Sequence, residues 1–574
     1  MGTVQRVDEL ERAFGTLTDP GNPLGLPALL RADAGGEALA AGEAVLDAAA
    51  FNAEFVPASL GGRLTRMDEL GRVLRPAFRR DASLGFGYGL NCFFAAVPLW
   101  LAGSEAQRAT ASALLLNGRR VAVARHEVAH GNHFIRDEFS AHRQGDGGFL
   151  LQGRKTGIAN AARADGLVLF ARTSGTQSPA GRRLSVFFTD RASLPPGRLR
   201  DLGRQATSGL SSTEFGGLEA RDCPLPAEAL VGAEGDGYEI SLRSSLLIRG
   251  LIPSIVLSGA DTALRIVARF AVRARPGGRS ALDVRYVRDV LSGAFLDLLI
   301  SDCLALVATR AVHLLPRHAS AYAAAAAHLA PRMLAESMDA LASVLGQDQF
   351  TDDPVYAMFR KQLRDLPVTS MGHAGSVGRQ ISILPQLPVF ARHSWFASPE
   401  PPGELFQPDG DLPPLDAGGL ALLADSDPLA ATLVFCTGRE SGTLSAATRE
   451  LAHAITRELE ELRGAFREIA PDDREALGSP YALGLVDRYV IVLAAAAVIG
   501  VWQQAQTAGP LAAESGAFLA DPAWLDAALR RLAGRLGVFL PDRPAAEDQR
   551  VLAELLARLH GARSLDLYGS PLAT

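Results

Sequence analysis

The chain has 574 residues, 48% of them hydrophobic and 21% charged, with a formal net charge of −6. This is an ordinary globular composition, and the length exceeds a single compact core, so about two to four domains are expected. The acidic balance excludes a nucleic-acid binder, which needs a basic face. Lys155 and Lys361 are the sole lysines, so arginine carries the positive charge, a coding bias in the first reading.

The opening MGTVQRVDELERAF contains no apolar signal core. Residues 26–50, rich in alanine and leucine with charges at helical spacing, predict helix. FVPASLGG follows, an extended piece ending at Pro57 with a turn at Gly61 and Gly62, and a helix starts near Met67. Residues 84–102 form a second apolar helix candidate, where Gly85 and Gly87 serve helix packing and make no dinucleotide fingerprint. The texture changes near Val121. VAVA, GGFLLQGRKTGIANA, GLVLFART and RLSVFFTD are short runs separated by Gly, Asp and Ser, the marks of strands and turns, and they end near Gly232. From Tyr238 the pattern is helical again, first as one long helix or two, then as RYVRDVLSGAFLDLLISDCLALVATRAVHLL. Proline and glycine cluster over 385–419, and a last helical block occupies 444–567. Four domains are expected: helical 1–120, β 121–232, a helical bundle 233–395 and further helices 396–574.

The longest apolar run, residues 489–502, is shorter than the ~20 residues a spanning helix needs. A buried core helix, no membrane span and a cytoplasmic location are therefore expected. Cys92, Cys223, Cys303 and Cys436 lie far apart without a C-x-x-C pair, which indicates neither a zinc knuckle nor a disulfide scaffold.

HEVAHGNH, residues 126–133, admits two readings. His126-Glu127-x-x-His130 matches the zinc-hydrolase pattern, which needs a helix carrying both histidines on one face. VAVA before it and Gly131-Asn132 after it favour a loop between strands, and no metal is expected. As a loop it resembles the T-E-x-x-x-G-S-D turn of acyl-CoA dehydrogenases. Glu127 and Gly131 match, while His126, Asn132 and His133 stand at the threonine, serine and aspartate.

The resemblance continues in order along residues 50–385. FVPASLGG with DEL resembles that family's entry motif, and GRKTGIANA resembles G-x-K-x-W-I-T-N-G through Gly153, Lys155, Ile158 and Asn160. FGGLEARDCPLPAEALVGAEGDGY, Arg249, ARPGG and FRKQLRD fall where the family has its next motifs. The resemblance implies a mainly α fold: an N-terminal helical domain, a middle β-barrel and a four-helix bundle. The 180 or so residues beyond it resemble the extra C-terminal helical domain of acyl-CoA oxidases.

The resemblance further implies FAD, an acyl thioester on CoA or a carrier protein, and a homo- or hetero-oligomer. Implied cofactor positions are His126, Gly131, Asn132, Gly157, Ile158, Ala159, Arg273 and Ser376, with Ser343, Gly346 and Gln347 offered to a neighbouring subunit's FAD. The family's base, a glutamate, removes the α proton within hydrogen-bond reach. Its place here holds His373, and its alternative place holds Ile248. Three readings stay open: His373 is the base, since imidazole titrates near neutrality; Glu400 or Glu404 swings in; or there is no dehydrogenation. The expected function is flavin-dependent α,β-dehydrogenation with His373 as base and Arg249 shaping the pocket. The alternatives are a silent partner subunit in a mixed oligomer and an oxygenase.

Overall fold

The computed structural model describes residues 2–125, 138–173, 184–273, 278–369, 375–438, 444–470, 473–507, 515–538 and 545–573. It is mainly helical around one mixed sheet, and it divides into two compact units. One comprises Ala13–Thr65 and Arg80–Ile248, the other Met1–Arg12, Arg66–Arg79 and Arg249–Thr574.

The first unit holds the sheet. Its strands are β1 (Val121–Ala124), β2 (Ser140–Arg143), β3 (Phe149–Ala159), β4 (Gly166–Thr173), β5 (Leu184–Asp190), β6 (Leu199–Asp201), β7 (Phe215–Leu225) and β8 (Leu230–Val231). Their order is β6-β7-β3-β2-β4-β5-β8, with β1 also on β4. β1 pairs with Gly166 to Leu169 and β2 with Arg172 and Thr173, both parallel, so they share successive lengths of β4. Phe139, Phe149, Leu151, Leu169 and Phe187 fill the core of the sheet, none more than 1% exposed.

Helical entry to this unit depends on local chemistry. The stretch expected as one helix over 26–50 breaks into Leu26–Gly35 and Ala40–Ala48, because Gly36 takes a left-handed conformation, φ +63°. The glycine pair has a physical reason at each position. Gly61 is at φ +88°, and a Cβ on Gly62 would lie 2.0 Å from the carbonyl oxygen of Val56. Helix Glu105–Leu116 starts at a capping box formed by Ser104 and Gln107. Before it, Gly85–Leu90 forms a π-helical turn leading into helix Asn91–Ala102. A Cβ on Gly87 would sit 3.3 Å from Thr213, and one on Gly89 2.8 Å from Phe51. Packing is therefore what these glycines serve.

The second unit is built of helices. Residues 238–272 resolve as part of a single helix, Gly237–Val272, despite Pro253. Arg285–Leu314 and Ala319–Leu345 follow as a helical hairpin, then Pro354–Thr369 and Gly375–Ile383. Beyond them come Pro428–Gly438, Ala446–Glu468, Pro480–Thr507, Pro522–Arg535 and Ala545–His560. The segment expected as a linker contains one further helix, Leu387–His393, and a short turn, Gly403–Phe406. Arg75 joins Asp302 (2.5 Å) and Asp566 (2.9 Å), all three buried, and the Leu567 amide also bonds Asp302 (2.9 Å). This buried cluster pins the last residues of the chain.

Length does not exclude membrane crossing, contrary to the expectation for residues 489–502. That run belongs to Pro480–Thr507, 28 residues, and four helices among the described residues are long and apolar enough to span. Between 78% and 94% of each apolar window is buried inside the protein. All four cysteines are buried free thiols.

Candidate active site

In the sheet unit the candidate residues converge on the end of β3. β3 runs antiparallel to β7, and the register shifts between Thr156 and Ile158. The residue at that bulge is Gly157, at φ +69°, a left-handed backbone that suits glycine. Its N–H donates to Oε1 of Gln205 (3.0 Å). The position where the resemblance has a tryptophan is thus a turned backbone capped by a carboxamide, so a Gly157→Trp exchange would not restore the ring. Ile158 and Ala159 are 2% and 5% exposed, with Ile158 in the sheet core.

The π-helical turn and helix Asn91–Ala102 hold that strand end. Asn91 donates to the Ala159 carbonyl (3.1 Å), and the Asn160 side chain donates to the Gly87 carbonyl. Asn160 itself is at φ +59°, its N–H bonded to the Glu214 carbonyl (2.7 Å). Glu214 is a carboxyl the sequence did not single out. Burial pushes its pKa up, the amide of Ala162 and the charge of Arg163 oppose that, and Oε2 is buried without a partner. Lys155 is fully buried, with Nζ donating to the Arg125 carbonyl (3.2 Å). His126, Gly131 and Asn132, with the rest of HEVAHGNH, lie outside the described residues; β1 ends two residues before them, at Ala124.

In the helical unit, Arg249 of helix Gly237–Val272 donates to Ser382 Oγ (2.9 Å) on helix Gly375–Ile383. Arg379, on the same short helix as Ser382, is 6% exposed. Burial and then the charge of Arg249 push its pKa down to about 10, and burial lowers that of Arg249 too. No carboxylate pairs with Arg249 among the described residues. More than a hundred residues separate Arg379 and Ser382 from Arg249, so no local pattern marks them as its neighbours.

Asp365 of the Arg364-Asp365 motif is 1% exposed and accepts from Lys361 Nζ (2.6 Å) and Arg364 Nη2 (2.9 Å). It anchors helix Pro354–Thr369 just before residues 370–374. His373 lies among those, outside the described residues, and Ser376 falls in the first turn of Gly375–Ile383.

The remaining candidates are elsewhere. Ser343 ends helix Ala319–Leu345, its hydroxyl bonded to the Ala340 carbonyl (2.6 Å) and to the Tyr286 hydroxyl (2.9 Å). Gly346, at φ +55°, and Gln347 form the exposed turn after it, and a Cβ on Gly346 would meet nothing within 4 Å. Arg273 is exposed at the far end of the helix that carries Arg249, 24 residues away (273 − 249), or about 36 Å at 1.5 Å per residue. The structure does not bring Arg249 and Arg273 to one reacting centre.

Glu400 and Glu404 are also misplaced for a base near Arg249. Gln380, beside Arg379, bonds Asp487 (2.8 Å) near the start of helix Pro480–Thr507. Glu400 lines a cavity at the other end of that helix with Trp502 and Thr507, about 22 Å along it from Asp487. Gly403, next to Glu404, packs against Gln504 at the same end. A swing of either carboxylate to Arg249 is therefore ruled out by reach.

No family model matches the chain. Over 210 residues it is 26% identical to mitochondrial isovaleryl-CoA dehydrogenase of Pongo abelii, covering 36% of this chain and 47% of that one. The chain spans about half the length of the curated relatives it matches. The fold is that of a solved acyl-CoA dehydrogenase complexed with FAD from Bacillus anthracis. The TM-score is 0.71 at 13% identity, over 97% of this chain and 95% of the other. Butyryl-CoA dehydrogenase of Megasphaera elsdenii superposes with a TM-score of 0.57 at 16% identity, over 66% of this chain and 96% of its own. The chain thus has the acyl-CoA dehydrogenase fold and is similar in sequence to acyl-CoA dehydrogenases over about a third of its length.

Proposed function

We propose that this chain is a flavin-dependent oxidoreductase that dehydrogenates an acyl thioester, carried on CoA or a carrier protein, between the α and β carbons. Beyond the superfamily likeness, one observation carries the reading. Arg249 is a charged group set into the protein beside buried Arg379, and its hydrogen bond goes to a neutral hydroxyl, Ser382. A partly buried guanidinium whose hydrogen bond goes to a hydroxyl is placed to answer negative charge that develops during a reaction, and such preorganised charge is worth most away from water.

The described residues fit FAD at its dinucleotide end. Arg273 is exposed, and so is the turn of Gly346 and Gln347, with open space over Gly346; an exposed guanidinium and open backbone each suit a phosphate group. The resemblance assigns Ser343, Gly346 and Gln347 to a neighbouring subunit's FAD, and His126, Gly131, Asn132, Gly157, Ile158, Ala159, Arg273 and Ser376 to the chain's own. When bound, FAD supplies the acceptor for the hydride leaving the β carbon. His373 serves as base for the α proton, in the range where imidazole titrates. Arg249 stabilises the enolate-like oxygen that proton removal leaves and shapes the pocket.

The experiment is anaerobic mixing of the holoprotein with a saturated acyl-CoA series, followed by flavin absorbance and product mass. Bleaching with formation of the enoyl thioester is expected. His373→Ala abolishes the step, and Arg249→Met slows it about 100-fold, the scale of one lost oxyanion donor. Wild-type rates in both variants would remove these residues from the mechanism.

A second reading is favoured by the β3 end, where the Gly157 amide is occupied by Gln205 and neither the family's ring nor its hydroxyl is present. In that reading the chain is a silent subunit paired with an active relative, and it neither carries nor takes up flavin.

A further inference from the structure

Helix Gly375–Ile383 carries Ser382, the acceptor of the Arg249 hydrogen bond. Val377 and Ile381, one turn apart on its outer side, are 45% and 57% exposed, so its place is fixed from the inner side. There Gln380 is buried, and its Nε2 donates to the Leu483 carbonyl (3.0 Å) and to Asp487 Oδ1 (2.8 Å), both on helix Pro480–Thr507. Both partners only accept, so one orientation of this amide satisfies them.

Asp487 is itself held. His328, fully buried on helix Ala319–Leu345, meets the same Oδ1 through Nε2 (2.6 Å), and a carboxylate can only accept, so that nitrogen carries the proton. Arg332, one turn further on, adds Nη1 at 3.1 Å. Burial would raise the Asp487 pKa, but the His328 bond and the Arg332 charge outweigh it and keep it below the ordinary carboxylate value. One ionised oxygen thus ties three helices. Helix Pro480–Thr507 lies among those after residue 396, which the resemblance sets apart as an extra domain.

Ser382 stands two residues from Gln380. Its hydroxyl donates to the Gly378 carbonyl (3.0 Å) and accepts from Arg249 Nη1 (2.9 Å), so its lone pairs reach the guanidinium only while this helix keeps its place.

We propose that Asp487 is a positioning residue for the Arg249 site: through Gln380 it fixes helix Gly375–Ile383, and with it the Ser382 hydroxyl that aims the Arg249 guanidinium. The C-terminal helices thereby set the geometry of that site. The catalytic consequence rests on the proposed dehydrogenation; the linkage itself does not.

The full-length holoprotein is compared with Asp487→Leu, with Gln380→Leu, which spares the His328 bond, with the double variant, and with Asp487→Asn, which keeps an accepting oxygen. Hydrogen–deuterium exchange read by mass spectrometry quickens across 375–383 in both leucine variants and no further in the double. With a saturated acyl-CoA, kcat falls about tenfold in each, less than the ~100-fold of a deleted oxyanion donor, while KM stays, because charge stabilisation acts in the transition state. The double variant matches the singles, since both break one tie, and Asp487→Asn behaves as wild type. Unchanged exchange in both leucine variants, wild-type kcat despite faster exchange, losses that multiply in the double, or an equal loss in Asp487→Asn would overturn the proposal. If the wild type turns over no thioester, it is the dehydrogenation that fails, and exchange across 375–383 still decides the linkage.

Discussion

Asp427→Ala is expected to cost about 3 kcal/mol of stability. Asp427 is 1% exposed at the start of helix Pro428–Gly438. Its carboxylate accepts from Trp395 Nε1 (2.9 Å), Tyr489 OH (2.8 Å), Tyr322 OH (3.1 Å) and the Ala430 amide (3.2 Å). At ~1 kcal/mol net per bond these sum to about 4 kcal/mol. Relief from burying an anion, which raises the pKa of this group, returns about 1 kcal/mol. Asp427→Asn keeps one carbonyl oxygen and should lose about half as much, because the tyrosine hydroxyls can reverse direction while the indole N–H cannot. Guanidinium unfolding followed by circular dichroism and tryptophan fluorescence measures both variants. An alanine variant within about 0.5 kcal/mol of wild type, the scale of an ordinary surface change, would refute the claim that this carboxylate joins four separate segments.

Gly62→Ala should destabilise by about 3 kcal/mol or more, because the obstacle is the Val56 carbonyl and not a movable side chain. Gly145→Ala, with nothing within 4 Å of its Cβ, should fall within about 0.5 kcal/mol of wild type in the same melt. His313 accepts the Met67 amide on Nε2 (3.1 Å) and shares a bond between Nδ1 and the Pro413 carbonyl (3.0 Å). Burial lowers its pKa below 6.5, so the folded protein holds it neutral. That stability is full above the ordinary imidazole value and is lost as pH falls through the lower folded value. Melting temperature should therefore decline on acidification below about pH 6.5, and His313→Gln should flatten that part of the profile. An unchanged profile would remove His313 as its source.

The strands were legible because their signals are local. VAVA, GLVLFART and RLSVFFTD are short apolar runs bounded by turn residues, and they form β1, β4 and β5. The long helices were legible from composition, Gly237–Val272 included. The glycine pair at 61 and 62 was visible as a turn, although the approach of the Val56 carbonyl was not. What escaped depends on pairing over distance. Gly157 looked like a lost tryptophan until the register with β7 showed a bulge capped by Gln205. The partnership of Arg249 with Ser382 and the four-segment cluster on Asp427 leave no local pattern at all. Glu400 and Glu404 were plausible bases by sequence alone, and the length of helix Pro480–Thr507 removes them. The two lysines, read as survivors of a coding bias, are both buried, Lys155 at 0% and Lys361 at 2%. A compact ammonium suits those places better than a guanidinium fork.

The flavin content of the purified full-length protein tests the central claim most directly. After incubation with FAD and removal of excess, the account predicts bound flavin absorbing between roughly 350 and 500 nm, in stoichiometric amount and bleached anaerobically by an acyl thioester. A folded protein that stays colourless at saturating FAD, with or without thioester, would contradict it.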